Sequence, residues 1–249
     1  MSAATAAYRE HDPGTALRPW VECLWTRDVG TAERHRVLPD GCADVLVVVH
    51  GAAARALAVG PMTEPHDAAS AAGCRYVAVR FRPGAARAFL GVPLAELLDQ
   101  RVTLDAIWGG AARELAETVA RAGDPVSALR AALLRRPPAG PPDALVSAAV
   151  RRLAADGSDA AVARLASELG VSRQHLARRF RDEVGHGPKK LARVVRMQRA
   201  LQLVAGERAL ALAELALAAG YYDQAHLGAE LRALAGTTPT RARAAFQIS

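Results

Sequence analysis

Hydrophobic and polar positions change rhythm twice along this chain of 249 residues. Between residues 15 and 82, short apolar or aromatic segments at 20–25, 45–49, 56–59 and 76–81 are separated by turn residues. Val77, Val79 and Phe81 alternate with Ala78 and Arg80, the period of two expected of a half-buried strand, and Pro39-Asp40-Gly41 predicts a turn. From Pro83 to about Leu134 the spacing becomes helical, as in Leu94, Leu97 and Leu98 and again in Leu115 and Val119. Short helices are therefore expected to close a β-rich, barrel-like first domain. Four of the fourteen prolines then crowd into Pro137-Pro138-Ala139-Gly140-Pro141-Pro142. Such a run favours an extended, semi-stiff linker.

Beyond it, apolar periodicity predicts helices over 143–155, 160–169, 172–184, 188–204, 210–219, 222–234 and 239–246. Residues 160–190 and 211–241 repeat one another. Ala166 and Gly170 match Ala216 and Gly220 fifty positions on. Phe180, Gly185 and Pro188 match Leu231, Gly236 and Pro239 at fifty-one, so the second turn holds one extra residue. Each copy reads as a helix, a glycine turn and a second helix, the helix-turn-helix pattern. Between the copies, Pro188 opens a helix at a favoured first-turn position, and Leu191, Val194, Val195, Leu201 and Val204 give it an apolar stripe. Its roughly seventeen residues make a rod of about 26 Å. Such a rod suits two recognition helices spaced about 34 Å apart, one turn of DNA. The fold class is α+β: residues 1–136 a β-rich domain with closing helices, 137–142 a linker, and 143–249 an all-α domain of two helix-turn-helix units.

Composition sharpens this picture. With 51% hydrophobic residues the chain is not a generally disordered one. The formal net charge is +7. From residue 143 onward sixteen basic residues face ten acidic ones, whereas residues 1–142 are nearly balanced. A basic excess confined to the helical part suits a polyanionic partner. Only Lys189 and Lys190 among the 32 basic residues are lysine, which reads as codon bias more than as selection for guanidinium chemistry. No apolar run reaches bilayer-spanning length, and the opening MSAATAAYREHDPG has no basic segment followed by an apolar core. A cytoplasmic protein without membrane attachment is expected.

The tail resembles the AraC/XylS family of transcriptional regulators. The resemblance covers about residues 143–246 and is carried by the two helix-turn-helix units, by the closing G-x-x-P signatures Gly185 to Pro188 and Gly236 to Pro239, and by Gly220-Tyr-Tyr-Asp-Gln-Ala-His-Leu227. The front stretches His35-Arg-Val-Leu-Pro-Asp-Gly-Cys-Ala-Asp44, Gly60-Pro-Met62 and Arg80-Phe-Arg-Pro-Gly84 are similar to an N-terminal domain that recurs in this family without an assigned function. One departure stands out: Leu227 and Leu231 occupy sites where the family usually has aromatics. The resemblance implies a sequence-specific DNA-binding regulator, gated through its front domain by a small molecule or a partner. Double-stranded DNA is the implied partner; RNA polymerase and a second copy of the chain are further candidates. The alternative is a non-catalytic DNA-binding interaction protein whose front domain only dimerises.

In the first recognition helix Ser172 is a plausible N-cap. Leu176, Phe180 and Val184 must face the core, which turns Gln174, Arg178 and Arg181 outward. The family's base readers map onto Gln174, Ala177 and Arg178, so periodicity and resemblance agree on two of them. Gln pairs with adenine and Arg with guanine. In the second unit the corresponding positions hold Gln224, Ala225, His226 and Ala229, of which only Gln224 and His226 have polar reach. The second unit is therefore expected mainly to anchor the DNA backbone. Lys189, Lys190 and Thr238 are placed to meet phosphates. Arg173, Asp223 and Arg232 complete the expected DNA-facing set.

For the front domain no cofactor, metal or catalysis is expected. His35, His50 and His66 form no H-x-H pair, and Cys23, Cys42 and Cys74 show no ligand spacing. Buried thiols acting as small hydrophobes account for the cysteines better than a metal sensor does. A ligand pocket would draw on Trp20, Trp25, Asp40, Cys42 and Asp44, aromatic walls with a few polar groups, although core packing and a simple turn explain the same residues.

Overall fold

The alternating segments of the front half become strands of a single twisted sheet. The computed structural model describes residues 7–206 and 210–242. Six strands, β1 (Ala7–His11), β2 (Val21–Asp28), β4 (Ala43–His50), β5 (Ala53–Val59), β7 (Cys74–Phe81) and β8 (Arg101–Thr103), pair antiparallel in the order β1-β2-β7-β4-β5-β8. Two more, β3 (Glu33–Val37) and β6 (His66–Ser70), pair only with each other. Because this ribbon does not bridge the sheet's edges β1 and β8, the barrel-like closure expected from the sequence does not form among the described residues. The domain is an open sheet with a two-stranded flap.

One sheet face carries Leu24, Val45, Val47, Ala58, Val77, Val79 and Phe81, all essentially inaccessible to solvent. Against it pack α3 (Gly110–Arg121) through Leu115 and Val119, and α4 (Pro125–Arg135) through Leu129 and Leu133. Two single-turn helices, α1 (Arg87–Leu90) and α2 (Asp105–Trp108), and a 3-10 turn at Leu94–Leu97 fill the corners. The opposite face, presenting Trp25, Asp44, Leu46, Leu57, Tyr76 and Arg80, looks toward the ribbon and encloses a cavity.

After the linker come α5 (Ala144–Ala155), α6 (Asp159–Glu168), α7 (Arg173–Val184), α8 (Pro188–Ala205), α9 (Leu212–Ala218) and α10 (Gln224–Ala235). Helical backbone resumes at Pro239 and is described to Ala242; the remainder of the expected 239–246 helix lies outside the described residues. The first half of α8 buries Leu191 and Ala192 with Leu165, Leu176 and Phe180. Its second half buries Met197, Ala200 and Leu201 with Leu215, Leu227 and Leu231. One helix thus supplies part of both cores. Leucine at 227 and 231 fills the second core completely, each having no exposed surface.

Each helix-turn-helix reverses through left-handed backbone, and glycine supplies it. Gly170 and Gly220 have φ of +67° and +85°, the left-handed region that residues with a Cβ avoid. The fifty-versus-fifty-one offset is resolved here. Val171 alone separates Gly170 from the cap Ser172, while Tyr221 and Tyr222 separate Gly220 from the cap Asp223. Tyr221 is buried, and Tyr222, at 86% exposure, is the surplus residue.

The linker is held along its length. Ala139 N–H donates to Ala88 O (2.7 Å), and Trp20 Nε1–H donates to Gly140 O (3.1 Å). Arg136 lies over the Trp108 ring at 4.2 Å.

Candidate nucleic-acid interface and front-domain cavity

The buried stripe of α7, formed by Leu176, Phe180 and Val184, fixes which side chains face outward. Ser172 caps the helix, its Oγ accepting from His175 N–H at 3.1 Å. Gln174, Arg178 and Arg181 are exposed on the far side and Ala177 is half-buried at the flank. Arg173, also exposed, lies at the N-terminal end of the stripe's own azimuth and donates to Ala163 O of α6 at 3.5 Å. Two guanidiniums and one amide therefore share the far surface. Arg179, on the inner flank, is instead consumed by Asp143 and Glu183.

The second unit repeats the scaffold. Asp223 caps α10 by accepting from His226 N–H at 2.7 Å, and Leu227, Leu231 and Leu234 form the buried stripe. Gln224, Ala225, Ala229 and Arg232 are exposed. His226 is half-buried, edge-on to the Tyr221 ring at 5.3 Å. The common offset of fifty-one places Ala225 where the first unit has Gln174, and Ala229 where it has Arg178. Thr238 accepts from Arg241 N–H at 3.3 Å and so starts the next helix.

The two units are locked to α8 by buried and half-buried charges. Arg196, only 5% exposed, reaches Asp159 at the start of α6 (3.1 Å) and stacks over Tyr221 in the second turn (5.5 Å). Arg193 grips Glu230 of α10 through both carboxylate oxygens (2.9 and 3.2 Å). The burial of Arg196 makes its role structural. Arg199 is exposed.

Of the two expected phosphate contacts on α8, Lys189 is exposed but Lys190 is not free. Its Nζ donates to Thr63 O of the front domain at 2.5 Å, and loss of hydration pulls its pKa below the usual lysine value. Further cross-contacts join the halves. Arg87 pairs with Glu183 (2.8 Å), Arg36 Nη1 donates to Gly236 O (3.4 Å), and Gln198 Nε2 donates to Pro39 O (2.6 Å). The turn bearing Pro39 also holds Gly41 so tightly that a Cβ there would stand 2.7 Å from Leu191 Cδ1, at a φ of +79°. These contacts fall on the ends of α7 and α10 and along α8, leaving Gln174, Arg178 and Ala229 uncovered.

The cavity between sheet and ribbon measures about 550 Å³. Trp25, Asp40, Cys42 and Asp44 line it, as a ligand pocket would require. Trp20 does not. Its indole, carried by the turn that precedes β2, packs edge-on against Phe89 on the helix-covered face and holds the linker. Asp44 accepts from Trp25 Nε1 at 3.2 Å, and burial pushes its pKa up to about 7. Arg80 approaches Asp40 and Asp44 at 3.5 and 3.6 Å; burial opposes its charge, but the two carboxylates overcome this and raise its pKa. Cys42 is buried, and desolvation lifts its thiol well above the ordinary range. Gln198, from the helical domain, also lines the cavity. The sequence offered no signal for that residue, since nothing local marks a polar side chain on α8 as facing another domain.

Residues 9–103 match the model of a domain of unknown function (DUF6597), and residues 165–245 match that of a helix-turn-helix domain. No curated protein matches the chain. Similar solved structures include two of ToxT from Vibrio cholerae. One is an apo lysine-to-alanine variant, 10% identical over 89% of this chain and 96% of that chain, with a TM-score of 0.46. The other is the P21 crystal form, 8% identical over 95% and 98%, with a TM-score of 0.45.

Proposed function

We propose that this chain, a DNA-binding transcription regulator built on an AraC-type helix-turn-helix domain, reads two successive major grooves with α7 and α10 and is gated by a small molecule in its front domain. The observation that carries the reading is the repeated recognition helix. Each copy has a side-chain cap and a buried apolar stripe, and each turns its opposite face to solvent. On α7 that face bears Gln174, Arg178 and Arg181, side chains able to read base edges and hold phosphates. Helix α8, with 18 residues, spans about 27 Å and sets the separation of the two readers.

Gating has a physical route. The turn at Pro39-Asp40-Gly41 touches the cavity on one side, through Asp40 and Arg80, and α8 on the other, through Gln198 and Leu191. A ligand that moves Asp40 or Arg80 strains the contacts holding α8. Release of the same contacts frees Lys190 for phosphate.

A binding site selected from random-sequence DNA, then scanned base pair by base pair, tests the reading. Penalties should fall in two clusters about ten base pairs apart, larger in the cluster facing α7. A single cluster would refute reading by both helices. Gln198→Ala should raise ligand-free affinity for the selected site several-fold; unchanged affinity would refute coupling through α8.

A further inference from the structure

Two arginines of the cavity form no ion pair among the described residues. Arg101 on β8 stands opposite Val59 in the register and lines the cavity with it. The other cavity arginines on the ribbon side and floor have acidic partners: Arg27 with Glu33, Arg36 with Asp67, and Arg80 with Asp40 and Asp44. Among the described residues Arg101 forms no ion pair, and neither does Arg55, which is exposed on the same side of the cavity. Arg101 remains accessible to solvent, yet the surrounding wall strips part of its hydration and lowers its pKa, while Tyr76 and Asp44 lie within reach of its charge.

Deeper in, His35 Nδ1 is buried without a hydrogen-bond partner, and Asp44 Oδ1 and Arg80 Nε face each other as an ion pair at 3.6 Å, too long for a hydrogen bond of their own. Unmet buried polar groups are costly, and several converging on one cavity mark a place for a hydrogen-bonding guest. Arg80, Asp44, Val59 and Arg101 form one row across β7, β4, β5 and β8, and the aliphatic side chains of Leu46, Val48 and Leu57 extend the floor to one side of that row. The volume of about 550 Å³ is within the usual range for small-molecule sites.

We infer that the cavity takes a small organic carboxylate with an apolar body. Arg101 receives the carboxylate, the aliphatic floor receives the body, and the Asp44–Arg80 pair hydrogen-bonds a polar substituent at the far end. A cationic guest is disfavoured because Asp40 and Asp44 already face Arg80 while Arg101 would repel it. A neutral guest would leave Arg101 unanswered. The assignment deepens the gating reading above and rests on it for any consequence at DNA.

The test is calorimetric titration of the full chain with phenylacetate and hexanoate, against their amides and the matching amines. The acids should bind at least about tenfold more tightly than the amides. Arg101→Met should bring acids down to the amide level, and Arg101→Lys should keep most of the preference. Because Arg101 is exposed on an edge strand, both variants should bind the selected DNA as the parent does, which verifies folding. Equal binding of acid and amide, preference for the amine, or no binding by any probe at millimolar concentration would overturn the assignment. Acid binding that leaves DNA affinity unchanged would instead refute gating while keeping the ligand class.

Discussion

The two helix-turn-helix units are near copies inside and unlike outside. Their recognition helices have equal length, matching caps and a buried stripe at the same spacing, with Phe180 answered by Leu231. Outside, Gln174 and Arg178 of the first are answered by Ala225 and Ala229 of the second, and only Arg181 finds its counterpart in Arg232. The second unit also exposes Leu217 and Tyr222. The buried positions decide that both segments fold alike. The exposed positions are under no such demand, so they are where the two halves differ: under the proposed function, one would read bases and the other mainly seat the duplex.

The comparison can be broken first at the cores. Phe180→Ala and Leu231→Ala should each cost about 3–5 kcal/mol of stability, measured by denaturant unfolding, because both side chains are fully buried. A cost below about 1 kcal/mol at either site would mean that the two cores are not equivalent. At the surfaces, Arg178→Ala should cost on the order of 1–3 kcal/mol in discrimination at one half-site. Gln224→Ala should barely register in the same competition assay. Grafting the missing reader, Ala229→Arg, should tighten binding and steepen the dependence of log affinity on log salt by about one. An unaltered salt slope would show that α10 does not approach the duplex as α7 does. The smallest effect belongs to the caps: Ser172→Ala and Asp223→Ala should each cost about 1 kcal/mol of stability, seen as similar shifts in the denaturation midpoint.

Helices α5 to α10 were legible to within two residues because each carries a one-sided stripe that only a helix can bury, and each is bounded by caps or glycine turns. Strands β2, β4, β5 and β7 were legible because the sheet buries an apolar run on one of their faces. Strands β3 and β6 escaped, since Glu33–Val37 and His66–Ser70 pair only with each other and show no apolar alternation. Strand β8, at three residues, is too short to register a period. The same blindness explains the cavity. Trp25, Asp40, Cys42 and Asp44 stood out by residue type, whereas His35 and Arg101 come from strands with no pattern, Arg27 from the part of β2 beyond its apolar segment, and Gln198 from another domain. Trp20 looked like its neighbour Trp25 in sequence, but it lies in the turn before β2 and packs on the helix-covered face, whereas Trp25 lies within the strand and faces the cavity. Lys190 looked like a phosphate contact because its environment, a carbonyl 127 residues away, is invisible locally.

The seated linker has a mechanical consequence. With Trp20 bonded to Gly140 and Ala139 to Ala88, the proline run is a bracket instead of a leash. The two halves do not swing through a volume of orientations, so inserted residues in that segment would bulge outward before they loosened anything. Motion between the halves must start as leverage at a few fixed points, and cutting the Trp20 anchor would do more to uncouple them than lengthening the chain.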